Sequence, residues 1–153
     1  MRQGPTLEEQ ARFYDRWNEW YRADEVETVS EEIRCRAEEV LKYLDETGVS
    51  NAQILEIGCG TGWLTQRLNK FGQVTAVDLS PVAIQMAKNR DSKARYFAGD
   101  VLQSKFDVDS FDVIVCVETL FYVEDQEKLV ELMARWMKSG GLLALTNINK
   151  FVY

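Results

Sequence analysis

The chain has 153 residues, 46% hydrophobic and 28% charged, with 25 acidic side chains against 18 basic ones for a formal charge of −7. This length and composition suit one soluble globular domain with a single sizeable core. The acid excess argues against nucleic acid as a partner, since phosphate binding needs a basic face, and the absence of any apolar run near roughly 18 residues, or of an N-terminal h-region, gives no membrane span or export signal.

Residues Met1 to Pro5 carry no pattern. Thr6 followed by Glu9 has the form of a capping box and opens a helix to about Tyr21. Phe13, Trp17 and Trp20 or Tyr21 share one face of it, with Tyr14 beside them, and this aromatic stripe reads as the surface that packs the helix on the domain. Thr28 with Glu31 makes a second capping box for a helix to about Thr47, with Ile33, Ala37, Val40, Leu41 and Leu44 as its apolar stripe and Gly48 as its stop.

Ile54 to Ile57 is a short apolar run that reads as a buried strand. Gly58, Gly60 and Gly62 then make a tight turn, and Leu64, Leu68 and Phe71 stand at helical spacing after it. Strand, glycine turn and helix together present backbone N–H groups to a nucleotide-like ligand where side chains would block the approach. The dinucleotide fingerprint fails here because its third glycine would fall on Trp63, and no lysine follows the turn to make a P-loop. An acid, Glu56, stands just ahead of the first glycine.

Val74 to Asp78 reads as a second strand ending in an acid. Asp78 lies 20 residues beyond Gly58, the spacing at which such folds place a carboxylate on the two hydroxyls of a ribose. Ser80-Pro81 caps the next helix, to about Lys88, which leaves Asp78 for a ligand. Ala94 to Asp100 is strand three, again ending in an acid, and Leu102 to Ser110 is short and polar. Phe111 to Val117 is the strongest strand signal, rich in β-branched residues. Gln126 to Lys138 forms an amphipathic helix, Lys138 to Gly141 ends it, and Leu142 to Thr146 is a fifth strand. Cys35, Cys59 and Cys116 are odd in number and far apart, which gives neither a disulfide framework nor a zinc site, and no metal is expected; a reducing cytoplasm follows as the natural location.

Glu56-Ile57-Gly58-Cys59-Gly60-Thr61-Gly62 closely resembles motif I of the class I S-adenosylmethionine-dependent methyltransferases. Phe111-Asp112-Val113-Ile114-Val115-Cys116, with Glu118, Leu120 and Val123 after it, resembles motif IV, and Phe13-Tyr14-Asp15-x-Trp17 resembles the aromatic segment that caps the cofactor in many small-molecule members. The resemblance spans roughly Phe13 to Thr146. It implies that Gly58, Cys59, Gly60 and Gly62 lie against the methionine part of S-adenosylmethionine, whose ammonium suits Glu56. It also implies that Tyr14, or Trp17 or Tyr21, closes over the cofactor, and that Asp100 meets the adenine amino group while Val101 packs on the ring. Leu79 and Val117 complete the expected cofactor contacts.

The expected fold is α/β, a Rossmann-like doubly wound and mostly parallel sheet of about five strands with helices on both faces. Residues 1–50 are expected to form N-terminal helices capping the cofactor site and 51–153 the binding core, within one structural domain. The expected activity is methyl transfer to a small-molecule acceptor, nitrogen or oxygen, by in-line displacement, where the protein's task is positioning. Glu118 and Tyr122 are the candidate catalytic groups. The chain holds no histidine, which excludes a histidine base within these residues and leans the reading towards an amine acceptor. Two other classes stay open: a cofactor-binding module without catalysis that works with a partner, and an NAD-dependent oxidoreductase. The resembling family continues past strand five with a helix and two strands, and Asn147 to Tyr153 are too few for such a crossover. An incomplete domain is therefore expected, associating with itself through the open edge of strand five.

Overall fold

Strands covered on both faces favour apolar residues at every position, and five such segments set the architecture. The computed structural model describes residues 5–21, 30–91 and 93–147. Strands β1 (Ala52–Ile57), β2 (Gly72–Asp78), β3 (Arg95–Ala98), β4 (Phe111–Val117) and β5 (Met137–Thr146) form one sheet in the order β3-β2-β1-β4-β5. Every pairing is parallel. The chain steps outward from β1 to β3, then returns to the other side of β1 for β4. That reversal leaves a crevice above the carboxyl ends of β1 and β4, which is where open α/β sheets bind ligands.

Helices cover both faces, as expected. On one face, α2 (Glu31–Thr47), α3 (Trp63–Leu68) and α4 (Pro81–Arg90) bring Leu44, Leu68 and Ile84 into one core with Ile54, Val74 and Val113. On the other, α5 (Gln126–Trp136) sets Leu129, Met133 and Trp136 against Leu55, Ile57 and Ile114. Phe106, from the segment between β3 and β4, meets the Trp136 ring edge-on at 5.1 Å and the Phe111 ring at 5.4 Å. An additional helix, α1 (Leu7–Tyr21), stands at the carboxyl end of the sheet. Its expected capping box is present: Thr6 N donates to Glu9 Oε2 (2.8 Å) and Glu9 N to Thr6 Oγ1 (3.3 Å).

Four local expectations need correction. Thr28 lies outside the described residues, and α2 is capped instead by Ser30, whose hydroxyl accepts from Ile33 N. Phe71 does not extend the α3 stripe, because α3 ends at Leu68; its carbonyl accepts from Ala52 N and its ring is buried at the foot of β1. Helix α5 ends at Trp136, and Met137 already pairs with Phe111. The four residues 138–141 bulge out before Leu142 pairs with Val113. Lys138 Nζ holds this bulge by donating to Asp112 Oδ1 (2.8 Å), while Asp112 Oδ2 accepts from Gln53 N (2.7 Å).

The fourth concerns α1. Phe13, Trp17 and Trp20 are not buried against the domain as a stripe: all three are exposed to solvent in part, Trp20 by 79%. The docking face is the neighbouring one, carrying half-buried Tyr14 and buried Asn18. Apolar count alone favours the aromatic stripe, but the crevice below α1 is rimmed by polar groups that Asn18 can satisfy. Among the described residues β5 is the outermost strand on the far side of the sheet, and Leu143 and Leu145 are exposed on it. Residues 148–153, the expected short tail, lie outside the described residues.

Trp136 is almost wholly buried and is the largest such side chain in the second core. Trp136→Ala is expected to cost about 3–5 kcal/mol of unfolding free energy, read as a lower denaturation midpoint by circular dichroism in urea.

Candidate ligand site

The crevice above β1, β2 and β4 is a cavity of about 630 Å³ roofed by α1. Its floor is the glycine turn. Gly58 N and Cys59 N both donate to Val77 O (2.8 and 3.1 Å), stitching the turn to β2, and Gly62 N closes it on Cys59 O (3.0 Å). Gly58 has φ +77°, and a Cβ there would lie 1.9 Å from Thr119 Oγ1. Glycine is required at that position by the loop after β4, which fills the space a side chain would need. Gly62, at φ +80°, is excluded from a side chain by Ala87 of α4, whose Cβ would be 2.8 Å away. It shapes the turn without lining the cavity. Of the other predicted site residues, Tyr14, Glu56, Gly58, Cys59, Gly60, Asp78, Leu79, Asp100, Val101, Val117, Glu118 and Tyr122 line it, as does Trp17, the alternative cover to Tyr14, while the Tyr21 side chain lies outside those described.

Each acid is held by a different device. Asp78 Oδ2 accepts from Gly60 N (2.8 Å) and its Oδ1 from Ser80 N (2.9 Å), so two backbone donors set the carboxylate's orientation. Ser80 itself caps α4, its hydroxyl accepting from Ala83 N (3.0 Å). Asp100 both lines the cavity and caps the short helical turn Val101–Gln103, accepting from Leu102 N (2.9 Å). Glu118 sits at φ +54°, a conformation rare for a residue with a side chain and concentrated at functional sites. Arg36 of α2 reaches its Oε2 at 3.3 Å without a hydrogen bond aligned on that oxygen, and Thr146 Oγ1 donates to Oε1 (3.2 Å).

Glu56 is 3% exposed, with Thr65 Oγ1 donating to its Oε2. Burial, partly offset by the Thr65 bond and reinforced by nearby Asp78, pushes its carboxyl up to about 8. At the roof, the Tyr14 and Tyr122 rings meet edge-on at 6.0 Å. Burial, with Tyr122 and Asp78 beside it, pushes the Tyr14 phenol up to about 12, so at neutral pH it remains a hydrogen-bond donor.

Five acids line the cavity, Glu56, Asp78, Asp100, Glu118 and Glu124, and among the described residues that line it there is no lysine or arginine. The arrangement suits a cationic ligand with hydroxyl groups and repels a phosphate-bearing one. Sequence reasoning missed Asn18, Ile33 and Thr119 as wall residues and Arg36 as the partner of Glu118. Arg36 stands outside the apolar stripe by which that helix is read, so nothing in its spacing marked it.

A wholly parallel sheet whose order reverses beside a glycine turn defines the Rossmann-like α/β class. Within that class, the methyltransferase domain family matches residues 55–145, from β1 into β5. The chain belongs to that family, as a class I S-adenosylmethionine-dependent methyltransferase domain. It is similar to the ubiquinone biosynthesis O-methyltransferase of Coxiella burnetii, 34% identical over 116 residues that cover 72% of this chain and 50% of that protein. The protein of the same name from Xanthomonas oryzae pv. oryzae is 31% identical over 140 residues, 87% of this chain and 57% of its own. The chain thus spans about half the length of the curated relatives it matches. Among solved structures, a TehB-like S-adenosylmethionine-dependent methyltransferase from Corynebacterium glutamicum is similar with a TM-score of 0.59 at 27% identity, covering 85% of this chain and 67% of that one.

The raised Glu56 carboxyl makes stability depend on pH with a definite sign. Below about 4.5 the group is protonated whether or not the chain is folded; from there to about 8 the unfolded chain releases a proton that the fold retains. Stability therefore falls as pH rises through that window and levels off above it. Glu56→Gln keeps an acceptor for Thr65 and removes the titration. Urea titrations are expected to show the native protein losing stability relative to this variant between pH 5 and pH 8. Parallel curves would contradict a protonated Glu56.

Proposed function

We propose that this domain binds S-adenosylmethionine and directs its methyl group to a small-molecule acceptor. The observation that carries the reading is that every charged residue lining the cavity around the glycine turn is an acid. The residues present fit this cofactor: Asp78, oriented by two backbone donors, is placed for the ribose, and Glu56, neutral in the ligand-free fold, lines the cavity where an ammonium would favour its ionised form. Asp100 and Val101 stand at the end of the next strand, where the family resemblance puts the adenine. The cofactor would supply a methyl group on a sulfonium that is already a good leaving group.

What is left for the protein is positioning and shielding. Tyr14 and Tyr122 meet edge-on at the roof, and residues 1–50 act as the capping region and 51–153 as the binding core. Glu118, buried and braced by Arg36 and Thr146, orients an acceptor hydroxyl or takes up its proton, and Tyr122 offers a second hydrogen bond. Relatives named as O-methyltransferases favour an oxygen acceptor over the amine towards which the lack of histidine leans. An NAD-dependent reaction is disfavoured because a pyrophosphate would face five carboxyl groups without a cation. A non-catalytic module remains the alternative, and a methylation assay across a library of phenols and amines separates it from an enzyme.

No helix of the described residues is long and apolar enough to cross a membrane. We place the protein in the cytoplasm, where its three free thiols stay reduced. Exposed Leu143 and Leu145 on edge strand β5 support association of two copies through that edge. Light scattering over a concentration series is expected to show a mass that grows with concentration, and a constant monomer mass would remove this proposal.

Calorimetry is expected to show binding of S-adenosylhomocysteine and no comparable binding of NAD. Asp78→Ala should weaken it by about 1–3 kcal/mol through lost charge-assisted hydrogen bonds; unchanged affinity would overturn the ribose assignment. Glu118→Gln and Tyr122→Phe should each lower turnover more than cofactor affinity. Unchanged turnover in both would make these side chains structural.

A further inference from the structure

Helix α1 is the roof of the cavity, and Phe13 and Trp17 line it while staying partly exposed to solvent. Its buried contact is polar. Ser80 Oγ donates to Asp15 Oδ1 (2.6 Å), and Val82 N donates to the same oxygen (3.3 Å). Asn18 Nδ2 donates to Tyr14 O (2.8 Å) and lies 3.5 Å from Ser80 Oγ. Asn18 is 5% exposed and Ser80 fully buried. Ser80 meanwhile accepts from Ala83 N as the cap of α4. A hydroxyl has one donor and two acceptor positions, and all three of this one are taken.

We infer that Asp15 is a positioning residue, locking α1 onto the first turn of α4 and thereby seating Tyr14 over the ligand cavity. Three features support it. A carboxylate at a helix N-terminus is favoured by the dipole and by the unpaired N–H groups there. Tyr14 precedes Asp15 directly and its carbonyl is bound by Asn18, so the lock and the roof side chain belong to one helical turn. Finally, Asp78 and Ser80 are joined by the Ser80 N bond to Asp78 Oδ1, so the lock attaches to the segment that also orients the carboxylate proposed for the ribose. A ligand held by Asp78 and a roof held by Ser80 then share a support, and order in one favours order in the other. The affinity part of this inference rests on the cofactor reading above; the mechanical part does not.

The test compares Asp15→Ala with Asp15→Asn, because the amide oxygen of Asn can still accept from Ser80 and Val82. Amide hydrogen exchange across residues 7–20 of the ligand-free protein should accelerate about tenfold in the Ala variant and about twofold or less in the Asn variant. Exchange in α5, at the other side of the molecule, should be unchanged in both. S-adenosylhomocysteine affinity should fall about tenfold in the Ala variant, and adding Tyr14→Ala to it should cost little more, since the roof is already displaced. Unchanged exchange in α1, equal acceleration in α5, or an Asn variant as impaired as the Ala variant would each overturn the lock. If the exchange pattern appears but no variant, nor the native protein, binds S-adenosylhomocysteine, the lock stands and the cofactor reading fails.

Discussion

The carboxylate of Asp78 is the constraint on which the site depends. It accepts from the backbone of Gly60 in the turn after β1 and from the backbone of Ser80 at the start of α4. Those two segments are far apart in the chain and adjacent only because β1 and β2 pair in parallel register, Ile57 opposite Val77. One side chain at the end of a strand thus defines where two loops sit relative to each other. Everything that lines the crevice is referred to that frame: the turn below it, α4 beside it, and α1 above through Ser80.

The frame is polar in a place where the surrounding core is not. Glu56 and Glu118 are both buried at strand ends, and each answers the cost of burial differently. Glu56 has Thr65 as its partner and no cation near enough to compensate, so the proton stays on. Glu118 has Arg36, brought in by a helix that precedes the sheet in the chain, and its backbone, in a left-handed conformation, donates to Thr146 O at the end of β5. Unfavourable groups of this kind persist where function needs them. Glu118 joins Asp78, Asp100 and Glu124 in a cavity lining whose charged residues are all acids, while Glu56 adds a neutral carboxyl.

The glycine turn shows how easily a residue's reason is misassigned. Gly58 reads as an opening for a ligand, but in the fold the space beside its Cα belongs to Thr119. Gly62 is likewise shaped by Ala87 of α4 and not by anything in the cavity. The back of the turn is packed by the loop after β4 and by α4.

From the sequence alone, the strand–helix alternation, the parallel sheet and the acids at strand ends were legible, because side-chain periodicity, glycine spacing and the distance from Gly58 to Asp78 are local properties of the chain. The family's motifs carried most of the cavity wall for the same reason. Tertiary structure decided what depends on residues far apart in sequence: Arg36 against Glu118, Thr119 behind Gly58, Asp15 on Ser80, and the bulge that Lys138 makes with Asp112. It also turned α1 over, exposing the aromatic stripe and burying Asn18. Periodicity reports which face of a helix is apolar, but which face is buried depends on the surface it meets, and that surface exists only once the sheet has formed.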